Sequence, residues 1–154
     1  MVITRLTKDA GIDYPIICGA MYPCSNPELV AAASEGGGIA ILQPVSLTMV
    51  HGFNKPDTKE GLRTAIRHIR TMTSKPIGFN ALIEKGSDKY LQRMSEWIDI
   101  ALDEGIRFFV TSLGKPDWVC DRVHAEGGVV YHDVTNRAHA KKGIDCGVDG
   151  LICV

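Results

Sequence analysis

Residues 35–42 have the sequence Glu-Gly-Gly-Gly-Ile-Ala-Ile-Leu, in which glycine separates a helix-like stretch from an apolar run. The same kind of junction recurs at residues 104–106, 126–129 and 146–148. A glycine just past a helix end adopts the left-handed conformation that stops the helix, and the apolar run after it is typical of a strand. Repeated helix-to-strand units predict a parallel α/β fold.

Six apolar runs in the sequence predict strands, and five intervening stretches predict helices. The predicted strands cover residues 14–18, 39–42, 75–80, 107–111, 129–131 and 150–154. The predicted helices start at Asn26, Asp57, Ser87 or Asp88, Pro116 and Thr135, which are residue types that favour helix N-termini. Because the strands are continuous apolar runs without alternation, we expect a parallel sheet that is covered by helices.

Two architectures fit this alternation: a doubly wound open sheet, and part of an eight-stranded (β/α) barrel. No G-x-G-x-x-G sequence follows the first strand, and the glycines at 36–38 follow a helix instead of preceding one. The sequence therefore lacks the phosphate-binding fingerprints of open-sheet nucleotide-binding proteins, which favours the barrel. A whole barrel takes about 250 residues, so we expect residues 1–154 to form one domain with about three quarters of the strands.

The composition predicts a globular protein of the cytoplasm. Apolar residues make up 45% of the chain and charged residues 23%, with a net charge of −1, which indicates no nucleic acid or anionic membrane as a partner. There is no apolar run of about 18 residues that would span a membrane, and residues 1–14 do not resemble a secretory signal. The five cysteines fit no zinc spacing. We expect incidental thiols in a reducing cytosol, with Cys24 as the alternative candidate for a reactive one.

The loop after the first strand is a candidate ligand site. It begins with Gly19, Ala20, Met21 and Tyr22. The small residues would let the backbone approach a flat ligand, and the amides could bond to the heteroatoms of a ring. A tight turn between strand and helix is the alternative explanation.

Polar residues near the ends of three other strands are further candidates. Asn80 ends the third predicted strand, where its amide can donate and accept at once, although a turn residue would look the same. Asp133 begins the loop after the fifth strand and is a candidate ligand contact. A general-base role for the adjacent His132 is an alternative, but a structural histidine is favoured. Residues 112–115 are interpreted as a glycine turn with a solvated lysine.

Five segments of the chain together resemble the nitronate monooxygenases, formerly called 2-nitropropane dioxygenases. Residues 14–21, 25–33 and 37–42 resemble the opening of that family, with the sequences Tyr-Pro-Ile-Ile-Cys-Gly-Ala-Met, Ser-Asn-Pro-Glu-Leu-Val-Ala-Ala-Ala and Gly-Gly-Ile-Ala-Ile-Leu. Residues 75–80 resemble its third strand, and residues 132–152 resemble its fifth unit and sixth strand. The match covers nearly the whole chain in order, and it is specific as an ensemble.

The resemblance implies an FMN-binding (β/α)8 barrel that oxidises nitroalkanes or alkyl nitronates with O2. Some relatives are flavin-dependent enoyl or quinone reductases, which is the alternative activity. In the family the backbone after the first strand lies against the isoalloxazine, and this role would fall to Gly19, Ala20, Met21 and Tyr22. The asparagine of the third strand corresponds to Asn80.

Two parts of the family pattern are not found in residues 1–154. The family's catalytic histidine lies in a Gly-Gly-His-type segment beyond the sixth strand, and its phosphate loops follow the seventh and eighth strands, in line with the general rule for these barrels. We therefore identify no catalytic residue here and expect the chain alone to bind FMN weakly or not at all. Asp133 corresponds to a flavin contact that is lysine in some relatives.

Two other interpretations remain open from the sequence. A partial barrel would leave strand edges unpaired and apolar inner faces uncovered, which favours association with a second copy or a complementing chain. In that case the chain would be a non-catalytic module. A relative of inosine-monophosphate dehydrogenase is less favoured. The nucleophilic cysteine of that family lies in a loop after the sixth strand, and residues 1–154 contain no such loop.

Overall fold

The structure is a computed structural model that describes residues 2–84 and 86–154. Six parallel strands form one sheet in chain order. They are β1 (Ile17–Cys18), β2 (Ile39–Leu42), β3 (Ile77–Leu82), β4 (Phe108–Ser112), β5 (Val129–Val134) and β6 (Gly150–Cys153). The helices are α1 (Arg5–Ala10), α2 (Pro27–Glu35), α3 (Pro44–Met49), α4 (Thr58–Met72), α5 (Asp88–Asp103), α6 (Asp117–Ala125) and α7 (Arg137–Asp145). The predicted parallel α/β fold is confirmed.

Glycine stops the helix at each of the four junctions that predicted the fold. The backbone φ angles are +90° at Gly37, +80° at Gly105, +70° at Gly127 and +85° at Gly147. A side chain is strained in this region of φ/ψ space, so glycine is the residue that suits these positions. At the first junction the left-handed residue is the second glycine of the three, because Gly36 keeps a helical φ of −67°.

Most predicted helix starts are confirmed, and one is wrong. The side chains of Asn26, Asp57 and Ser87 each accept a hydrogen bond from an amide in the first turn of their helix. Thr135 does not cap α7, because Asn136 takes that place and accepts from the amide of His139 at 2.9 Å. The predicted strand bounds also shift, since β3 runs two residues and β5 three residues further than expected, and β1 is shorter.

The structure adds two short helices to the five that the sequence predicted. In α1, Thr4 and Thr7 form a reciprocal cap and Gly11 ends the helix with a φ of +67°. In α3, the side chain of Gln43 caps the helix and Pro44 occupies its first position. Each helix has six residues, which is too short to show a helical period of apolar residues.

The two faces of the sheet carry different clusters of buried side chains. One face packs against the helices and includes Leu42, Phe79, Phe109 and Val130. The other face is turned inward and includes Ile39, Ile41, Phe108, Val110 and Tyr131. Ile17 of β1 and Ile152 of β6 pack against this same inward cluster, although they belong to opposite ends of the strand order. The sheet therefore curls into an arc of six strands of the (β/α)8 barrel type.

Helix α1 covers the inward cluster at the amino-terminal ends of the strands. Ala10 and Ile12 are buried there with Phe108, and Leu6 packs alongside. The hydroxyl of Tyr131 donates a hydrogen bond to the Asp9 carboxylate at 3.1 Å. These residues fill the amino-terminal end of the arc, and the inner face is open at the carboxyl ends of the strands. No helix in the described part of the chain is long and apolar enough to cross a membrane.

Candidate active site

A cavity of about 490 Å³ lies inside the arc, at the carboxyl ends of the strands. Its apolar floor is made by Ile17, Ile41, Val110 and Ile152. Its polar rim is made by Gln43, Asn80, Ser112 and Asp133. Each rim residue comes two positions after an inward-facing strand residue, in line with the alternation of side chains along a strand. The volume falls in the range of roughly 300–1,000 Å³ that small-molecule sites occupy.

Five of the six sequence-predicted contacts line this cavity. They are Gly19, Ala20, Tyr22, Asn80 and Asp133. The sixth, Met21, is not among the lining residues, and 43% of the residue is exposed. The curl of the sheet brings three separate chain segments to one place.

Met21 anchors its loop through its backbone. Its amide donates to the Ser25 hydroxyl at 2.8 Å, and its carbonyl accepts from the Ser46 hydroxyl at 3.4 Å. The Met21 amide is thus already used within the protein. The amides of Ala20 and Tyr22, by contrast, donate to no other residue in the described ranges. The expectation of free loop amides therefore fits Ala20 and Tyr22 but not Met21.

Gly19 leaves open space in the cavity wall. A Cβ atom added at this position would meet no atom within 4 Å, and the φ of Gly19 is not in the left-handed region. A side chain at position 19 would therefore be compatible with the fold and would project into free volume. What glycine provides here is room next to the loop backbone.

Asn80 lies within β3 and not at its end, which corrects the prediction. It is paired with Val110 of β4 and faces inward. Only 5% of the residue is exposed, yet its side-chain amide forms no hydrogen bond with any described residue. The amide is open to the cavity, since Nε of Arg93 is the one fully buried polar side-chain atom without a partner in the described ranges. The amide of Asn80 thus offers both a donor and an acceptor to a ligand in the cavity.

Asp133 also lies inside a strand, because β5 continues to Val134 and pairs Asp133 with Ile152. The Ser112 hydroxyl, on the neighbouring strand, donates a hydrogen bond to the Asp133 carboxylate. This bond orients the only carboxylate among the described residues that line the cavity. Asp133 is therefore a fixed acceptor on the rim and not the start of a loop.

His132 faces the helices, on the opposite side of β5 from Asp133. Its Nδ1 is 2.8 Å from the hydroxyl of Thr111, and 5% of the residue is exposed. Burial lowers the pKa of His132, and the neighbouring Asp133 carboxylate opposes that shift. Since the imidazole does not line the inner cavity, the preference for a structural role over a general base there is consistent with its placement.

Sequence reasoning missed Gln43 and Ser112 as lining residues. Gln43 follows β2 directly, and its Oε1 accepts from the amide of Val45 at 3.4 Å. Ser112 was interpreted as part of a turn, but it is the last residue of β4. Each comes two positions after a residue that the structure shows to face inward, Ile41 before Gln43 and Val110 before Ser112, and the sequence does not reveal that facing.

Neither a metal site nor a disulfide is found in the described ranges. No group of three histidine, cysteine, aspartate or glutamate side chains there is arranged to hold a metal ion. All five cysteines are free, with Cys24 exposed and Cys120 buried. Burial raises the pKa of Cys120 to about 12, so this thiol stays protonated at neutral pH.

Curated relatives match the chain across most of its length. One is the (3aS,4S,5R,7aS)-5-hydroxy-7a-methyl-1-oxo-octahydro-1H-indene-4-carboxyl-CoA dehydrogenase of Rhodococcus jostii (strain RHA1), which is 27% identical over 149 residues. That match covers 97% of this chain and 38% of the relative. A "Probable nitronate monooxygenase" of Staphylococcus aureus (strain Newman) is 28% identical over 97 residues, which cover 61% of this chain and 24% of the relative. The chain therefore spans well under half the length of these relatives.

Solved structures of longer chains share the fold of this one. FabK from Thermotoga maritima superposes with a TM-score of 0.80 at 25% identity, covering 99% of this chain and 44% of FabK. A nitroalkane oxidase from Streptomyces ansochromogenes has the same fold, with a TM-score of 0.77 at 20% identity and coverage of 97% and 48%. The sequence profile described as "Nitronate monooxygenase" matches residues 3–154. With this match along nearly its whole length, the chain belongs to the nitronate monooxygenase family of oxidoreductases.

Proposed function

We propose that this chain forms the ring-binding half of an FMN-dependent oxidoreductase that oxidises alkyl nitronates or nitroalkanes with O2. The observation that carries the proposal is the unpaired amide of Asn80 in the wall of the inner cavity, which Gly19 also lines with open space beside its backbone. Family membership supports the reaction class. FMN, when bound, would take electrons from the substrate and deliver them to O2.

The residues of the inner cavity fit the ring of a flavin. The edge of an isoalloxazine alternates hydrogen-bond donors and acceptors, which suits the amide of Asn80 and the free amides of Ala20 and Tyr22. The Asp133 carboxylate, held by Ser112, would accept a hydrogen bond from the ring or the substrate. The apolar floor would exclude water from one side of the ring.

The phosphate of FMN has no partner in the inner cavity. Among the described residues that line it, none is lysine, arginine or histidine. The phosphate would have to be bound by residues outside this cavity, which agrees with the family pattern of loops after the seventh and eighth strands. We therefore expect residues 1–154 to hold the ring weakly.

Flavin titration tests this proposal. Purified wild-type chain is titrated with FMN, and the quenching of flavin fluorescence is followed. We expect weak, saturable binding that disappears in Gly19→Leu, because the new side chain would fill the ring space. Gly36→Leu is the matched control, since it places leucine at an exposed glycine at the end of α2 and should leave binding unchanged. Saturable binding by the wild type that is equally strong in Gly19→Leu would contradict the proposal.

A second candidate is a flavin-dependent reductase or dehydrogenase of thioester substrates. The observation that favours it is the Rhodococcus relative, a carboxyl-CoA dehydrogenase whose match covers 97% of this chain, against 61% for the nitronate monooxygenase of Staphylococcus aureus. Turnover assays on the longest polypeptide that carries this chain separate the two activities. Nitronate-dependent O2 consumption supports the first, and substrate reduction by NADH without nitronate supports the second.

We also infer that the chain associates with a second copy or a complementing polypeptide. In the described ranges β1 pairs only with β2, and β6 pairs only with β5. Each therefore has one unpaired edge, and such edges invite pairing with another chain. Light scattering should report a particle larger than the 16.8 kDa of one chain. A stable monomer at high concentration would contradict this inference.

A further inference from the structure

The charge of the inner cavity comes from a single side chain. Asp133 is the only carboxylate among the described residues of its lining, and none of these residues is lysine, arginine or histidine. The other polar side chains of the rim, those of Gln43, Asn80 and Ser112, are neutral. A ligand inside the arc therefore meets one negative charge and no positive charge from the described lining.

The Asp133 carboxylate is held in place without being neutralised from inside the arc. The Ser112 hydroxyl, which carries no charge, is its only side-chain hydrogen-bond partner in the described ranges. The lysine that shares a cavity with Asp133 is Lys142 of α7, in a second cavity of about 480 Å³ on the helix-facing side of β5. Lys142 balances the charge of Asp133 there, but it does not line the inner cavity.

An anion inside the arc would be repelled by this carboxylate. The repulsion between two like charges becomes stronger as water is excluded from around them. The floor beneath the rim is apolar, with Ile41 and Val110 among its residues. Because Lys142 lies on the other side of β5, no cation of the described lining offsets the repulsion.

The rim offers a hydrogen-bond donor to an uncharged ligand. Gln43 is 6% exposed, and its Oε1 accepts from the amide of Val45 at 3.4 Å. Its Nε2 donates to no described residue, and Gln43 lines the cavity. An uncharged molecule whose oxygens accept hydrogen bonds suits this donor. A nitro group has two such oxygens and no net charge.

We propose that Asp133 restricts the inner cavity to uncharged substrates. The inference rests on the proposed function for the identity of the substrate, and within it selects the neutral nitroalkane over the alkyl nitronate anion. These two molecules have the same skeleton and differ by one proton, so their charge decides between them. The same rule admits the uncharged thioester group of the second candidate activity. Asp133 is thus a residue that determines specificity.

The binding of two probes of similar shape to the full chain tests this inference. Nitroethane and propionate have the same number of non-hydrogen atoms, but propionate carries a negative charge. Each is titrated into the flavin-free chain, and the side-chain amide signals of Asn80 are followed by NMR. We expect nitroethane to bind at least about tenfold more tightly than propionate, because the carboxylate of the probe is repelled by that of Asp133.

Asp133→Asn should remove most of this preference. Asparagine keeps the size of the side chain and an acceptor for the Ser112 hydroxyl, but it has no charge. The affinities of the two probes should then come within about threefold of each other. Asp121→Asn is the matched control, since Asp121 is exposed on α6 and its loss changes the net charge of the chain by the same amount. This control should keep the wild-type preference.

Several results would overturn the proposal. These are no saturable shift of the Asn80 signals with nitroethane, equal affinities of the wild type for the two probes, or an unchanged preference in Asp133→Asn. An equal loss of preference in Asp121→Asn would also overturn it, because the preference would then come from the net charge of the chain.

The flavin titration of Gly19→Leu separates this inference from the proposed function. The probe titrations contain no flavin, so their outcome does not depend on flavin binding. If flavin binds equally to the wild type and Gly19→Leu while the probes show the preference, the proposed ring site fails and the selection by charge stands. If flavin binding is lost in Gly19→Leu while the probes bind equally, the selection by charge fails and the proposed function stands.

Discussion

Phe79 and Asn80 are neighbours in β3, but they lie on opposite faces of the sheet. Phe79 is fully buried on the helix-facing side, and its ring centroid is 5.5 Å from that of Phe109. Asn80 faces inward toward the cavity with an amide that has no partner among the described residues. The helix-facing side thus stabilises the fold by apolar packing, while the inward side keeps polar groups available near the carboxyl ends of its strands.

The two faces of β3 thus contribute differently to the stability of the fold. Closely packed apolar side chains stabilise a domain in proportion to the area they bury. An amide that faces a cavity without a protein partner, by contrast, adds no hydrogen bond to the fold. A protein retains such a group at a site where binding or catalysis uses it.

The largest effect is expected from Phe79→Ala. Removing the ring would leave a cavity against Phe109 and lower the free energy of unfolding by about 3–5 kcal/mol. Asn80→Ala, one residue away, should cost less than about 1 kcal/mol, because its amide makes no hydrogen bond within the described part of the protein. Urea denaturation measures both. Similar losses in the two variants would remove the distinction between the faces.

An intermediate effect is expected from Glu104, which joins two helices of the helix-facing layer. Its carboxylate lies 2.8 Å from Arg63 and 2.9 Å from Arg67. Burial acts to raise the pKa of Glu104, but the hydrogen bonds from both arginines outweigh it and lower the pKa. Glu104→Gln should therefore cost about 1–2 kcal/mol at neutral pH.

The stabilisation that Glu104 provides should decrease at acid pH. Because the pKa of Glu104 is lower in the folded than in the unfolded chain, its stabilisation is complete above the ordinary value of 4.5. It is lost as the pH falls through the folded-state pKa. Unfolding free energies of wild type and Glu104→Gln should therefore converge at acid pH. A constant difference between them down to the lowest pH would contradict this account.

The smallest effect on stability is expected from Asn80→Leu. Replacing an amide that bonds to no described residue by an apolar side chain should leave the free energy of unfolding unchanged or raise it by up to about 1 kcal/mol. Flavin binding should be lost, because the donor and acceptor are gone. Asn54→Leu, at an exposed position between α3 and α4, is the control and should bind as wild type does. Retained flavin binding in Asn80→Leu would mean that the inward amide is not a ring contact.

Much of the candidate site could be predicted from the chain, since the loop at 19–22, Asn80 and Asp133 all come near the carboxyl ends of predicted strands. In parallel α/β folds these ends meet at one edge of the sheet, and ligands bind there. The exception is Met21, whose amide is taken by Ser25. This hydrogen bond forms only in the folded loop, so the spacing of residues in the sequence does not predict it.

The order of helices and strands follows from local properties of the chain. Glycines such as Gly105 and Gly127 stop helices through their own φ angles, and that is a local property of the chain. Resemblance along the chain determined the family in the same way, because it depends on residue order alone.

Which face of each strand points inward depends on the folded arrangement of the whole sheet. Strands that are buried on both sides have no alternation of polar and apolar residues, so the pattern could not place Phe79 and Asn80 on opposite faces or show that Gln43 and Ser112 line the cavity. Strand register and the curl of the sheet determine which side chains face the inside of the arc. For the same reason His132 faces α7 and not the inner cavity.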